Sequence, residues 1–290
     1  MPAGGIIAAP PAAEPLDLPA RLSRIELPTE VRHASYREPL GQAEAANIVL
    51  SLSSFPTTVQ ALTEGDALIE AEVDYIGQMR FDVTGARTRY VVLDEERSGW
   101  SMSLGTQRSA HRWEIGLSPD LPIDLTIDAG SGSSQLELGQ LNLRSLLVDG
   151  GSGSVHLSLP HQELPVRVDS GSGSCHIELP EGARTDLRLN TGSGSVEVRL
   201  GEAADVRITA QDVGSGSLTF RLPADSAVQL TVDDEGSGSI RTPRGLDRVK
   251  GRSGEDVGVW ESKDYGRAER QVTIRVDDMG SGSVSLEWDR

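Results

Sequence analysis

The sequence predicts an all-β chain whose larger part is a single-stranded β-solenoid, a stack of coils of 20–22 residues. Three observations carry this. The tetrapeptide Gly-Ser-Gly-Ser starts at Gly130, Gly151, Gly171, Gly192, Gly214, Gly236 and Gly280, so successive copies lie 21, 20, 21, 22, 22 and 44 residues apart. Alternating apolar residues flank the copies, the signature of strands with one buried face. No stretch of useful length has a helical period.

Residues 1–46 are rich in Ala and Pro and read as a linker or loosely ordered arm, with at most a short helix over 41–46. Residues 47–120 form an N-terminal β region. Ile48, Leu50 and Leu52 alternate with other residues, as do Met79, Phe81 and Val83, then Trp100, Met102 and Leu104, then Trp113, Ile115 and Leu117. Residues 68–73 and 89–93 are further strand candidates. Residues 121–290 form the repeat domain. Its last interval is twice 22, which predicts a divergent coil over 241–271 with Gly258 near the missing corner.

Within a repeat, alternation puts Val155, Leu157 and Leu159 on one face, as it does Cys175, Ile177 and Leu179, then Val196, Val198 and Leu200, then Leu218, Phe220 and Leu222. One coil cannot bury such a face. Stacked coils bury it continuously, with Val155 over Cys175 over Val196 over Leu218. Gly tolerates φ > 0 and has no Cβ, so the motif makes a tight corner at which backbones approach closely, and its serines suit a hydroxyl ladder. Pro160, Pro180, Pro223 and Pro243 end strands because proline lacks the ladder N–H. A flexible linker, the plain reading of Gly-Ser-Gly-Ser, does not recur at fixed spacing between strands. Trp288 falls in the column of Leu138, Leu159, Leu179 and Leu200, where its ring would plug the open end of the stack. An end-to-end homo-oligomer through that end is the alternative.

The chain has 290 residues, 4% aromatics, net charge −17 and pI near 4.7. Such acidity argues against nucleic acid, whose binding requires phosphate neutralisation, and against an anionic membrane surface. Cys175 is the single cysteine, so no internal disulfide forms. No apolar run approaches the ~20 residues that span a bilayer. The start, Met1-Pro2-Ala3-Gly4-Gly5, lacks the charged and apolar regions of a signal peptide.

Three groups of residues are candidates for chemistry. An acidic column precedes the corners: Asp128, Asp149, Asp169, Asp212, Asp234 and Asp278, with Asn190 in the fourth coil and Asp233 and Asp277 as alternative equivalents in the last two. It reads first as a series of Asx turns and second as a Ca²⁺ ladder, although the known calcium-solenoid pattern is absent. An outward column of Gln135, His156, His176, Glu197 and Thr219 reads as exposed decoration. The alternative is a metal site on His156, His176 and Glu197, which lacks a fourth ligand. A basic stretch containing Arg244, Arg248, Lys250 and Arg252 reads as a solvated loop, or else as a patch for an anionic polymer. No nucleophile elbow, phosphate loop, zinc signature or dinucleotide fingerprint is present, so no catalytic residue and no cofactor is assigned.

The run over residues 113–128, with Leu117-Ser118-Pro119-Asp120 at its centre, leads into Gly130-Ser131-Gly132-Ser133 and then Leu143-Arg144-Ser145-Leu146. This stretch resembles the toast-rack family of bacterial proteins. It is also similar to the related putative adhesins and to the C-terminal domains of cell-wall-active antibiotic-response proteins. Residues 66–75 resemble the family's N-terminal part, and the resemblance extends over 47–290. It implies a non-catalytic protein facing the cell envelope or the exterior and concerned with envelope sensing or adhesion. A cytoplasmic location is the alternative, since no leader is visible. The expectation is therefore a scaffold for a protein or glycan partner. The alternative is a polysaccharide-active β-helix enzyme of the lyase type.

Overall fold

A computed structural model describes residues 30–96, 111–234, 236–251 and 257–289. Those residues form 23 strands and no helix. The first seven are β1 (Arg32–Pro39), β2 (Ala45–Ser51), β3 (Thr57–Ala61), β4 (Ala67–Tyr75), β5 (Gln78–Thr84), β6 (Thr88–Glu96) and β7 (Trp113–Leu117). Five regular coils follow, each a strand, a Gly-Ser-Gly-Ser corner and a second strand. They are β8 (Ile123–Asp128) with β9 (Ser133–Glu137), β10 (Leu143–Asp149) with β11 (Ser154–Ser158), β12 (Glu163–Asp169) with β13 (Ser174–Leu179), β14 (Arg184–Asn190) with β15 (Ser195–Leu200), and β16 (Val206–Asp212) with β17 (Ser217–Pro223). The chain ends with β18 (Val228–Val232), β19 (Ser239–Arg241), β20 (Leu246–Gly251), β21 (Gly258–Ser262), β22 (Val272–Val276) and β23 (Ser283–Asp289).

The corners divide the strands between two sheets. Eleven strands lie in the order β1-β4-β7-β3-β9-β11-β13-β15-β17-β23-β19, and twelve in the order β20-β21-β18-β22-β16-β14-β12-β10-β8-β2-β6-β5. Neighbouring coils pair in parallel and in register, so like residues stack. Val155 meets Cys175, Cys175 meets Val196, Val196 meets Leu218 and Leu218 meets Val284. The inner faces of the two sheets form one continuous aliphatic core. In the β14–β15 coil alone, Leu187, Leu189, Val196, Val198 and Leu200 are buried. Each such side chain contributes about 1.5–3 kcal/mol on leaving water.

Spatial order departs from chain order at both ends. The β2–β3 segment is itself a coil, parallel to β8 and β9 on one side and to β6 and β7 on the other. Both sheets therefore run unbroken across residues 120 and 121, where the sequence suggests a domain boundary. At the other end β22 lies between β16 and β18, and β23 lies between β17 and β19. The last coil is thus inserted beneath the one that precedes it in sequence.

Four expectations are corrected. The loosely ordered arm does not extend to residue 46. β1 pairs with β4 along its length, and Tyr36 packs on Phe81 with ring centroids 4.9 Å apart. Residues 41–42 form a turn, with Gly41 at φ 55°, and not the start of a helix. Among the described residues of 241–271 there is no divergent coil. β20 and β21 form an antiparallel hairpin on the flank of β18, and Gly258 pairs with Gly251 in its ladder. Trp288 does not plug the end of the stack, because its coil is the penultimate one; its Nε1–H donates to the Arg244 carbonyl at 2.8 Å. The strand candidate at Trp100, Met102 and Leu104 lies outside the described residues.

Candidate functional site

The repeated corner is the most distinctive surface of the molecule. Its first glycine has φ between 53° and 63° in all seven copies, a region L residues rarely occupy. Its second glycine is needed for a different reason: a Cβ on Gly153, Gly173 or Gly194 would overlap the carbonyl oxygen of the second glycine one coil below. The corners are joined by a backbone ladder. The N–H of Ser152 donates to Gly130 O at 3.0 Å, Ser172 to Gly151 at 2.9 Å, Ser193 to Gly171 at 3.0 Å and Ser215 to Gly192 at 2.9 Å. Ser281 then donates to Gly214, and Ser237 to Gly280, each at 2.8 Å. All seven corners stand in one row, with the Gly280 corner between those of Gly214 and Gly236. The ladder is carried by backbone. Among the described residues the corner hydroxyls contribute one contact, Ser215 Oγ to Ser281 Oγ at 3.2 Å, so the expected hydroxyl ladder gives way to a row of outward hydroxyls.

The acidic column sits at the entrance to this row. The N–H of the first glycine donates to Oδ1 of Asp128, Asp149, Asp169, Asp212, Asp234 and Asp278 at 2.7–3.2 Å. These are the Asx turns. Asp233 and Asp277 are not their equivalents; both pair with Arg275 instead. Asn190 turns its amide to Asp169 Oδ2 at 3.5 Å.

Above the corners runs an open trough of about 790 Å³, lined by the Ser-Gly-Ser segments of six coils, from Ser152-Gly153-Ser154 to Ser237-Gly238-Ser239 and Ser281-Gly282-Ser283. A smaller depression of about 310 Å³ lies beside it, where His156, His176, Glu197 and Thr219 stand in register on adjacent coils. The two imidazoles lie 4.9 Å apart, and His176 faces Glu178 Oε1 at 3.2 Å and Glu197 Oε1 at 3.4 Å. Glu197 also accepts from Arg221 Nε at 2.9 Å, and Arg221 reaches Glu287 at 3.3 Å. The structure thus brings together the outward column that the sequence singles out, but its one acid, Glu197, is already engaged by His176 and Arg221. Among the described residues no group of three His, Cys, Asp or Glu side chains is placed to hold a metal ion.

The basic candidates fall on the hairpin. Arg248 lies over the Trp260 ring, 5.0 Å from its centroid, and donates to the Val257 carbonyl at 2.5 Å. Arg244 and Lys250 are exposed nearby, and Arg252 lies outside the described residues. Cys175 is buried, and burial pushes its thiol up to about 12.

One cluster has no sequence signal. On the outer face of β1 and β4, His33 faces Asp74 through Nδ1 and Glu72 through Nε2, both at 2.9 Å. His111 approaches Asp74 at 3.4 Å. The groups are 39 and 41 residues apart in the chain, so only the pairing of β1 with β4 reveals them. The hydrogen bond that His33 donates to Asp74, with the one it donates to Glu72, outweighs desolvation and raises the His33 pKa. At Asp74 desolvation acts upward. The hydrogen bonds from His33 and from the Arg112 N–H, with the charge of His111, outweigh it and lower the pKa.

Fold and corner together define a two-sheet β-solenoid with stacked Gly-Ser-Gly-Ser turns. The family model described as the N-terminal domain of toast_rack, DUF2154, matches residues 28–178, just over half of the chain. The chain belongs to this family. Two solved structures are similar over most of its length. One is a putative cell adhesion protein from Clostridium sporogenes, at 15% identity and a TM-score of 0.45, with 90% of this chain and 100% of the other covered. The other is a putative adhesin from Bacteroides fragilis, at 17% identity and a TM-score of 0.47, with 89% and 98% covered. Comparison with curated proteins finds no match. No helix among the described residues is long and apolar enough to cross a membrane.

Proposed function

We propose that this protein is a non-catalytic display scaffold of the bacterial cell envelope or exterior, which offers the corner-bearing face of its solenoid to a protein or glycan partner. One observation carries the reading: the same short surface, serine-glycine-serine, is presented by six successive coils along an open trough, with an outward polar column beside it on four of them. A periodic open face suits an extended partner, which makes many small contacts. It does not suit a reaction, which requires a few groups to converge and exclude water. Charges on the outward columns are shared between coils, as in Arg221 with Glu197 and Glu287 and Arg199 with Asp289 at 2.6 Å.

The lyase reading calls for acids and a base converging in a groove, and the pairing of the outward acids with arginines speaks against it. Binding to purified envelope polysaccharides and surface-protein extracts, beside an assay for unsaturated products from acidic glycans with and without Ca²⁺, separates the two. The scaffold reading expects saturable binding without turnover. Turnover that disappears in Glu197→Gln or His176→Ala contradicts it.

A further inference from the structure

The order of the last three coils poses a physical question. β22 stands in the same register against both neighbours: Val272 pairs with Val206 and with Val228, and Ile274 with Ile208 and with Leu230. In the other sheet Ser283 pairs with Ser217 and with Ser239. By this register β18 is as well aligned to β16 as β22 is, although in the other sheet β19 offers three residues where β23 gives β17 seven. It also emerges from the chain first. Stacking in chain order would place it directly on the fifth coil and leave the last coil outermost.

The longer β23 favours the observed order in one sheet, and the hairpin supplies a selection in the other, where β18 and β22 are equivalent. A strand has two flanks. In the observed order β18 gives one flank to β22 and the other to β21, through the pairs Gln229 with Glu261, Leu230 with Trp260, Thr231 with Val259 and Val232 with Gly258. Side chains reinforce the second contact: Ser262 Oγ accepts from the Val228 N–H at 2.9 Å, and Gln229 Nε2 donates to Glu261 Oε1 at 2.8 Å. Trp260 is buried there beneath Arg248. In chain order both flanks of β18 would be taken, by β16 and by β22, and the hairpin would lose its pairing with β18. We propose that the β20–β21 hairpin is a coil-order selector: by occupying the outer flank of β18 it directs the C-terminal coil into the slot between the fifth and sixth coils, and its displacement lets the stack revert to chain order with the C-terminal coil exposed at the end.

Disulfide trapping in the full chain tests this. Ser215 and Ser281 occupy adjacent corners, with hydroxyls 3.2 Å apart. Ser215 and Ser237 are two coil steps apart, about 9.6 Å, beyond the reach of a disulfide. Chain order would bring Ser215 and Ser237 together and separate Ser215 from Ser281. Cys175 stays out of the reaction because it is buried. With the hairpin intact, Ser215→Cys/Ser281→Cys closes at least tenfold faster than Ser215→Cys/Ser237→Cys. With residues 246–262 replaced by a Gly/Ser segment of equal length, or with Val259→Pro, the preference reverses while the β-sheet circular dichroism is retained. The proposal is overturned if the Ser215/Ser237 pair closes as fast in the intact chain, or if the Ser215/Ser281 pair keeps its advantage once the hairpin is gone. It is overturned equally if both altered chains lose their fold, since chain-order stacking is then not available to them.

Discussion

Gly153 and Gly139 show how differently one residue type is used. Gly153 lies where a Cβ would overlap the Gly132 carbonyl oxygen, with backbone on every near side. Gly139 has only Leu159 O near its Cβ position, at 3.9 Å, and no positive φ. Gly153→Ala therefore must push two coils apart and costs at least ~3 kcal/mol, the scale of a severe backbone or packing defect. Gly139→Ala is near neutral or stabilises by about 0.4–1 kcal/mol by restricting the unfolded chain. Urea unfolding of the two variants checks both. His33 makes a second prediction. Its folded pKa lies above the ordinary value of 6.5, so the fold favours the imidazolium that both Asp74 and Glu72 face. That contribution is complete below pH 6.5 and is lost as pH rises through the folded value. The side chain is 60% exposed, and solvent screening keeps the effect small. The unfolding midpoints of wild type and His33→Gln should differ on the acid side and converge on the alkaline side; a gap that widens with pH contradicts the assignment.

At the scale of the element, a coil is a strand, a corner, a strand and a return, and each touches only its neighbours. Deleting residues 151–170 removes one period and sets the Gly171 corner directly on the Gly130 corner, with Cys175 against Ser134 and Ile177 against Leu136. Such a chain should fold with unchanged β-sheet circular dichroism and a somewhat lower midpoint, as expected where stability sums over repeats and interfaces. Deleting ten residues, 151–160, breaks the register and should abolish folding. This modularity explains what could be read from the sequence. The period, the buried columns and the Asx turns are local, and each of Asp128, Asp149 and Asp169 bonds the glycine two residues on. The insertion of β22–β23 is not legible in the β22 sheet, because Val206 and Val228 are equivalent partners for Val272. The hairpin was hidden for a related reason: a bulge between Arg248 and Lys250 turns Val249 outward and breaks the alternation by which a strand is recognised. For the surface, His156, His176 and Glu197 were legible as a column because parallel register aligns them, whereas the His33 cluster depends on an antiparallel pairing with no repeat behind it.

For the whole molecule, the stack is a rod in which three of the four sheet edges are antiparallel strands, β1, β5 and β20, and the fourth is the short parallel β19. Twelve strands at about 4.8 Å spacing give a sheet roughly 53 Å across. The edges of the two sheets carry features that oppose further pairing: Arg32, Arg37 and Pro39 on β1 and a β19 of three residues in one, and the bulge of β20 in the other. A display scaffold needs this combination of a long regular face and protected ends. The corner row that defines the face can be measured directly by spin-label distances in the full chain. Counting steps along the row, Ser131 lies five coils from Ser281, about 24 Å, and six from Ser237, about 29 Å. The account predicts that the Ser131→Cys/Ser281→Cys pair gives the shorter of two narrow distances although Ser281 comes later in the chain. A shorter distance for Ser131→Cys/Ser237→Cys, or no defined distance for either pair, contradicts it.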